Sequence, residues 1–350
     1  MASRLIVVTG AGASFDCAGP DVARDAELRP PLVADLFDRK FADILNEYPL
    51  AEQVAPNIRA SVGTGAIALE RYLREELLGS SFPHLRRRYQ AIPLYLQHLF
   101  WKISEGYTQH PDNYDRLITE ALRLDRVTFV TLNYDTILDQ RLAIDSSLDD
   151  IADYVSSTRT WSLVKLHGSV NWGRRLVDGP DVRRKMITPG LMVKTYAADF
   201  ATLGEDPTVA DEIELRTGSL EDFRTDASAI HRGSLFYPVV AVPLGSQDEI
   251  VCPASHVEHL REHMRDSAEG LNLLVIGYSG LDQEVLGLLG WSERPVRALR
   301  VINGSYERSM ETVQTLAQRL RFPPTEEMAF AGGFSDFINT DLERFIRSLG

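Results

Sequence analysis

Cysteine is scarce in this chain: 350 residues hold two, Cys17 and Cys252. Two thiols build neither a disulfide framework nor a paired CxxC zinc site within one chain. Long hydrophobic runs are missing as well. The N-terminal apolar run Leu5-Ile-Val-Val8 passes at once into Thr9-Gly10-Ala11-Gly12, too short for a signal peptide or a membrane span. A cytoplasmic chain without membrane association is the expectation. Positive charge is in deficit too: 37 Lys and Arg against 50 Asp and Glu leave a net charge of -13, which repels a phosphate backbone. Direct nucleic-acid binding is not expected. The densest cationic runs, Arg86-Arg87-Arg88 and Arg183-Arg184-Lys185, lie among acidic neighbours and read as solvated faces. The sequence has no internal repeat, low-complexity tract or linker-like stretch, which favours one domain with excursions over two independent ones.

What is present is a series of short, β-branched apolar runs that end in glycine or small polar residues. They cover residues 4–9, 126–131, 162–166, 237–242, 271–276 and 297–302. Such runs are the pattern of parallel strands buried on both faces, and predict an α/β fold with a Rossmann-like parallel sheet flanked by helices. Between the first two runs the apolar spacing is helical: Ile67, Leu69, Leu73 and Leu77, then Tyr89 to Ile103, then Tyr114, Leu117, Ile118 and Ala121. This reads as a helical insertion, residues 21–124. Residues 174–235 are polar with weak periodicity and read as a second, irregular insertion rather than sheet. The Rossmann-like core is then residues 1–20, 125–173 and 236–350, the whole forming one domain. Near the C-terminus, Phe337, Ile338, Leu342, Phe345 and Ile346 share one helical face that should pack back on the sheet.

The strand ends carry the candidate chemistry. Gly10-Ala11-Gly12-Ala13-Ser14 follows the first strand, where glycines let backbone N–H groups approach an anionic ligand at a helix N-terminus. Phe15 stands where the third glycine of a dinucleotide fingerprint belongs, so a plain strand-to-helix turn competes with phosphate binding, and Ser14 suits either a phosphate contact or a helix cap. Asn133 and Asp135 close the second run in Thr131-Leu-Asn133-Tyr-Asp135; they fit a ligand site at the carboxyl edge, and equally a turn and a cap for the following helix. His167, in Lys165-Leu-His167-Gly-Ser169, is the one histidine of eight that follows a core run and precedes a glycine, which places a near-neutral acid–base group at that edge. Gly277-Tyr278-Ser279 and Asn303-Gly304-Ser305 end two further runs in the same way. Such convergence of small and amide residues points to a nucleotide cleft. His256, His259 and His263 follow Ser255, which with Glu258 makes a capping box; they read as a solvated stripe beside Val257, Leu260 and Met264 rather than as a metal face.

In order along residues 5–305, these motifs resemble those of the sirtuin-like family, named from the silent information regulator, and especially its bacterial antiviral-defence branch. The resemblance implies NAD as substrate. It makes Gly10, Ala11, Gly12 and Ser14 the first NAD loop, Asn133 and His167 the catalytic pair, and Asp135 the nicotinamide contact. It further makes Gly277 and Ser279 the second phosphate loop and Asn303 the adenosine-ribose contact. Two departures matter. The zinc ribbon of deacylating sirtuins cannot be built here, and their Pro-Asp-Phe-Arg segment is replaced by Leu28-Arg29-Pro30-Pro31-Leu32. Both point toward the zinc-free branch, which hydrolyses NAD to nicotinamide and ADP-ribose, without a metal, as an abortive-infection effector. The alternatives are an NAD-dependent deacylase or ADP-ribosyltransferase, and a non-catalytic NAD- or ADP-ribose-binding module. Because an unrestrained NAD hydrolase would kill its host, the resemblance also implies a homo-oligomer or a protein partner such as a DNA-translocating ATPase or an Argonaute-like protein.

Overall fold

The computed structural model describes residues 4–17, 29–62, 72–107, 113–144, 147–176, 209–220, 222, 236–242, 250–265, 270–290, 292–293 and 295–349. Five of the six apolar runs form the core of one parallel sheet: β1 (Arg4–Thr9), β2 (Arg126–Thr131), β3 (Trp161–Lys165), β7 (Leu271–Ile276) and β8 (Val296–Ile302). A sixth strand, β9 (Glu326–Phe330), completes the order β3-β2-β1-β7-β8-β9. Relabelled within the sheet this is 3-2-1-4-5-6, the order of a dinucleotide-binding fold, with its topological switch point between β1 and β7. The fold is thus Rossmann-like.

Alternation along the strands explains why both faces are covered. Leu5, Val7, Val127, Phe129, Leu163, Leu274 and Ile276 face one side, against α1 (Ala11–Cys17), α4 (Asn113–Ala121), α5 (Ile137–Leu142), α9 (Gly333–Thr340) and α10 (Leu342–Leu349). Ile6, Val8, Val130, Val164, Leu273 and Val275 face the other, against α6 (Ala254–Arg265), α7 (Gln283–Leu289) and α8 (Tyr306–Arg319). Each fully buried aliphatic side chain contributes about 1.5–3 kcal/mol, so neither layer of helices is dispensable.

The run at 237–242 forms a strand, β6 (Phe236–Val240), but joins a second sheet, where it pairs antiparallel with β4 (Gly168–Leu176); β4 also pairs antiparallel with β5 (Val209–Leu215). An apolar run reports burial, not partner. β5 and the end of β4 lie inside the stretch expected to be irregular, so that expectation is corrected for residues 174–176 and 209–215; residues 177–208, 221 and 223–235 lie outside the described residues. β9 has no apolar run because it is an edge strand with Glu326, Glu327 and Met328 exposed. The helical stretch holds α2 (Pro49–Val62) and α3 (Pro83–Gly106), and their buried faces share a third core with β4 and β6, including Tyr95, Leu99, Phe100, Val170 and Phe236. Leu73 and Leu77 join it, while Ile67 and Leu69 lie outside the described residues, as do Arg183, Arg184 and Lys185. The C-terminal helical face is split into two helices at Asp341, whose backbone leaves helical geometry (φ -126°), yet all five expected apolar residues are buried.

The histidine stripe is corrected. Helix α6 starts at Ala254, so Ser255 lies in its first turn instead of capping it. His256 and His263 are buried. His256 sits 5.9 Å from the Tyr154 ring and 5.3 Å from the Trp172 ring, and its Nε2 bonds the Ile151 carbonyl at 3.1 Å. His263 Nδ1 meets Thr128 Oγ1. Among the described residues no group of three or more His, Cys, Asp or Glu side chains converges as a metal site, and no helix is long and apolar enough to cross a membrane.

Burial lowers the His256 pKa from its usual 6.5 to about 4, with His259 adding to the effect and the Ile151 carbonyl opposing it. The unfolded chain therefore binds the proton first as pH falls. Stability should be undiminished above pH 6.5 and decline between 6.5 and 4, by about 3 kcal/mol from this residue. Urea unfolding of the wild type and of His256→Phe across that range checks it: the variant should have the shallower pH dependence, and equal slopes would assign the acid sensitivity elsewhere.

Candidate active site

Strand register alone brings the sequence motifs to one edge. Lys165, Thr131, Thr9, Ile276, Ile302 and Phe330 lie side by side across the sheet, so the next few residues of each strand emerge at the same rim. At the switch point two loops press backbone against backbone. Gly12 N donates to Gly277 O at 3.0 Å, and Gly10 N donates to Ile276 O at 3.0 Å. A Cβ on Gly277 would stand 2.1 Å from Ala13 N, and one on Gly10 would stand 2.6 Å from Gly277 O. Gly277 also has φ +63°, a left-handed conformation that glycine adopts without strain. The glycines are thus required by loop-to-loop contact. With Ala13 N donating to Gly10 O at 2.9 Å, three amides of the first loop already have protein acceptors.

Ser14, Asn133 and Asp135 form one buried network. Asn133 Nδ2 donates to Gly10 O at 3.1 Å and to Ser14 Oγ at 2.9 Å. A carbonyl only accepts, so the atom facing Gly10 is the amide nitrogen, and Asn133 Oδ1 has no partner among the described residues. Ser14 Oγ donates to Asp135 Oδ2 at 3.1 Å and lies 3.1 Å from the Tyr114 hydroxyl. Asp135 Oδ1 accepts from Ile137 N at 3.1 Å at the start of α5, so Asp135 does serve the helix end as well as facing Ser14. Burial raises the Asp135 pKa, an effect opposed by Lys165, by the Ile137 amide and by Ser14, and reinforced by Asp139.

His167 stands at the same rim but outside that network. Its ring centroid is 6.5 Å from that of Tyr134, which packs edge-on against Phe100 of α3. Its Nε2 lies 2.8 Å from Asp282 Oδ2. Asn303 Nδ2 donates to Tyr278 O and Thr312 Oγ1, each at 3.3 Å, so its amide braces the β7 loop. Ser279 is exposed, Ala11 half-buried. Arg29, in the segment that departs from the sirtuin pattern, packs its guanidinium 3.6 Å over the Phe15 ring, beside the first glycine loop.

Sequence reading missed two residues of this region. Lys165 is wholly buried; its Nζ donates to the Asp135 carbonyl at 2.5 Å and to Asp139 Oδ2 at 2.7 Å, while the Tyr154 hydroxyl donates to Asp139 Oδ1 at 2.9 Å. A lysine between Val164 and Leu166 in a buried strand was its signal, since such a charge needs a partner. Asp282 was visible only as a polar residue ahead of a helix. A cavity of about 360 Å³ opens beside Thr136 and Asp139, lined by residues of α3 and α5 together with Tyr154, Asn171 and Arg216.

Neither a protein-family model nor a curated protein sequence matches the chain. Among solved structures the chain is similar to a mutant Sir2 homologue in complex with 2'-O-acetyl ADP-ribose. The identity is 15%, the cover is 99% of this chain and 93% of that one, and the TM-score is 0.44. A likeness at that level says nothing about activity.

Removing one partner of a buried ion pair strands the other charge, which typically costs about 3–5 kcal/mol. Lys165→Met should lose that much in urea unfolding, and Lys165→Met with Asp139→Asn should regain a good part of it. Equal losses in the single and double variants would mean that Lys165 acts by packing alone.

Proposed function

We propose that the chain binds NAD across the β1/β7 switch point and breaks its nicotinamide–ribose bond. The observation that carries this reading is the placement of Asn133, Asp135 and His167 around the switch point of a 3-2-1-4-5-6 sheet, where ligands of such folds bind. The order of the motifs, which resembles that of sirtuin-like proteins, supports the choice of NAD.

The reaction needs a site that tolerates an oxocarbenium-like ribose while nicotinamide departs, and then delivers an acceptor. Asn133 Oδ1 suits a ribose hydroxyl or the attacking water. Asp135 is assigned to the nicotinamide amide, in exchange for the bond it now takes from Ser14. His167 is assigned as the base that removes the acceptor's proton, help that is typically worth about 10²–10⁴ in rate. With water as acceptor the products are nicotinamide, ADP-ribose and a proton. A second reading keeps the first step and changes the acceptor to a protein-borne group, giving a deacylase or ADP-ribosyltransferase. The cavity beside Thr136 and Asp139 favours its consideration, because Leu215, Arg216, Thr217 and Gly218 of the second insertion help line it. A constitutive NAD hydrolase is toxic to its own cell, so we place control of the activity in self-assembly or a protein partner, as the antiviral-defence branch implies.

Product analysis of purified protein with NAD tests the reading. Wild type should release nicotinamide with stoichiometric ADP-ribose, while Asn133→Ala and His167→Ala should lose at least about 100-fold in kcat. Nicotinamide released only when an acylated or acceptor protein is added would select the second reading. NAD that neither binds nor reacts would overturn both.

A further inference from the structure

We infer that Asp282 is the positioning residue for His167, and that it acts by fixing the imidazole tautomer with its lone pair on Nδ1. The tautomer follows from the contact itself; its catalytic consequence rests on the function proposed above. His167 Nε2 and Asp282 Oδ2 are 2.8 Å apart, with side chains 7% and 4% exposed. An ionised carboxylate only accepts, so a neutral imidazole facing it carries its proton on Nε2. Nδ1, which has no protein partner among the described residues, is then the basic nitrogen.

The contact is not a local one. His167 follows β3 and Asp282 follows β7, with β2 and β1 between them in the sheet. Three strand spacings separate the two parent strands, roughly 14 Å, so the pair reaches over the carboxyl ends of β2 and β1, the strands that carry Asn133 and the glycine loop. Asp282 is itself held: its other oxygen, Oδ1, caps α7 by accepting from Glu284 N at 2.9 Å and Val285 N at 3.0 Å. Each oxygen thus has one task.

In the reaction, a proton leaves the acceptor hydroxyl for His167 Nδ1 as the oxygen bonds the ribose C1' carbon. The C1'–N bond breaks with its electron pair going to the pyridine nitrogen, and nicotinamide leaves neutral. Asp282 faces the resulting imidazolium and stabilises it.

The division of tasks decides what an amide does at this position. Asparagine caps helices as well as aspartate, so its single oxygen stays with the two α7 amides and its NH2 turns toward His167. An NH2 only donates; Nε2 must then accept, and the proton moves to Nδ1. Size, cap and burial persist while the base is lost. In serine hydrolases a wrong tautomer of this kind costs about 10⁴ in kcat.

The test compares wild type, Asp282→Asn, Asp282→Ser, His167→Ala and the double variant His167→Ala/Asp282→Asn, reading kcat, KM for NAD, and imidazole nitrogen shifts in histidine-labelled protein. The His167 signals are assigned by their loss in His167→Ala. We expect Nε2–H in wild type and Nδ1–H in Asp282→Asn, a fall in kcat of about 10²–10⁴ with KM within about twofold, and no further loss in the double variant beyond His167→Ala. Asp282→Ser, which retains a cap, should lose kcat to a similar extent with near-wild-type thermal stability. Wild-type kcat in Asp282→Asn, or Nδ1–H in the wild type, would overturn the inference and leave Asp282 a helix cap. If wild type yields no product from NAD while the tautomer switches as stated, the NAD reading fails and the positioning of His167 stands.

Discussion

Two backbones touch where no side chain fits, and the rim of the sheet depends on that contact. Gly10 and Gly12 after β1 lie against Gly277 after β7 so closely that a single Cβ would enter the opposing main chain. The approach is imposed by topology. β1 and β7 are hydrogen-bonded neighbours whose connections leave in opposite directions, so their loops diverge only after running side by side. Residues that could separate them would open the sheet where Asn133 and Ser14 are anchored, because Asn133 takes its position from the Gly10 carbonyl.

A second layer of order is electrostatic. Lys165, Asp139 and Tyr154 are buried together, and Lys165 ties this cluster to the main chain of Asp135. Buried charges of this kind seldom add stability over an apolar core, but they specify geometry, since each donor has one acceptable place to go. Here they hold the segment after β2, which carries Asn133 and Asp135, against the start of α5. From the far side, Ser104 of α3 accepts from Thr136 N at 3.1 Å, and Gln97 bonds the Val170 carbonyl at 2.9 Å. The helical stretch between β1 and β2 therefore supports the strand-end residues as well as packing on the small sheet.

Much of the sheet was legible because its strands are buried on both faces, and double burial leaves an unbroken apolar run. β9 lacked that mark, since a solvated edge strand needs no apolar alternation. The run in β6 reads as a strand from sequence, but its partner is β4 in the small sheet, because hydrophobicity measures removal from water and carries no record of the neighbour. His256 and His263 look solvated from sequence for a related reason: an imidazole can be buried when a carbonyl or hydroxyl is there to meet it, and that partner belongs to another element.

The amino-acid order by itself determined the strand ends: which residues follow each apolar run, and hence that Gly10, Asn133, His167, Gly277 and Asn303 would emerge at one edge of any parallel sheet built from those runs. That much is local, set by the two-residue period of strands and by where polar residues interrupt it. Only the tertiary structure decided their partners. Asn133 meets Ser14 across 119 residues, and His167 meets Asp282 across 115. Those pairings depend on strand order, and strand order follows from how the whole chain buries its apolar surface, which no local stretch of residues encodes.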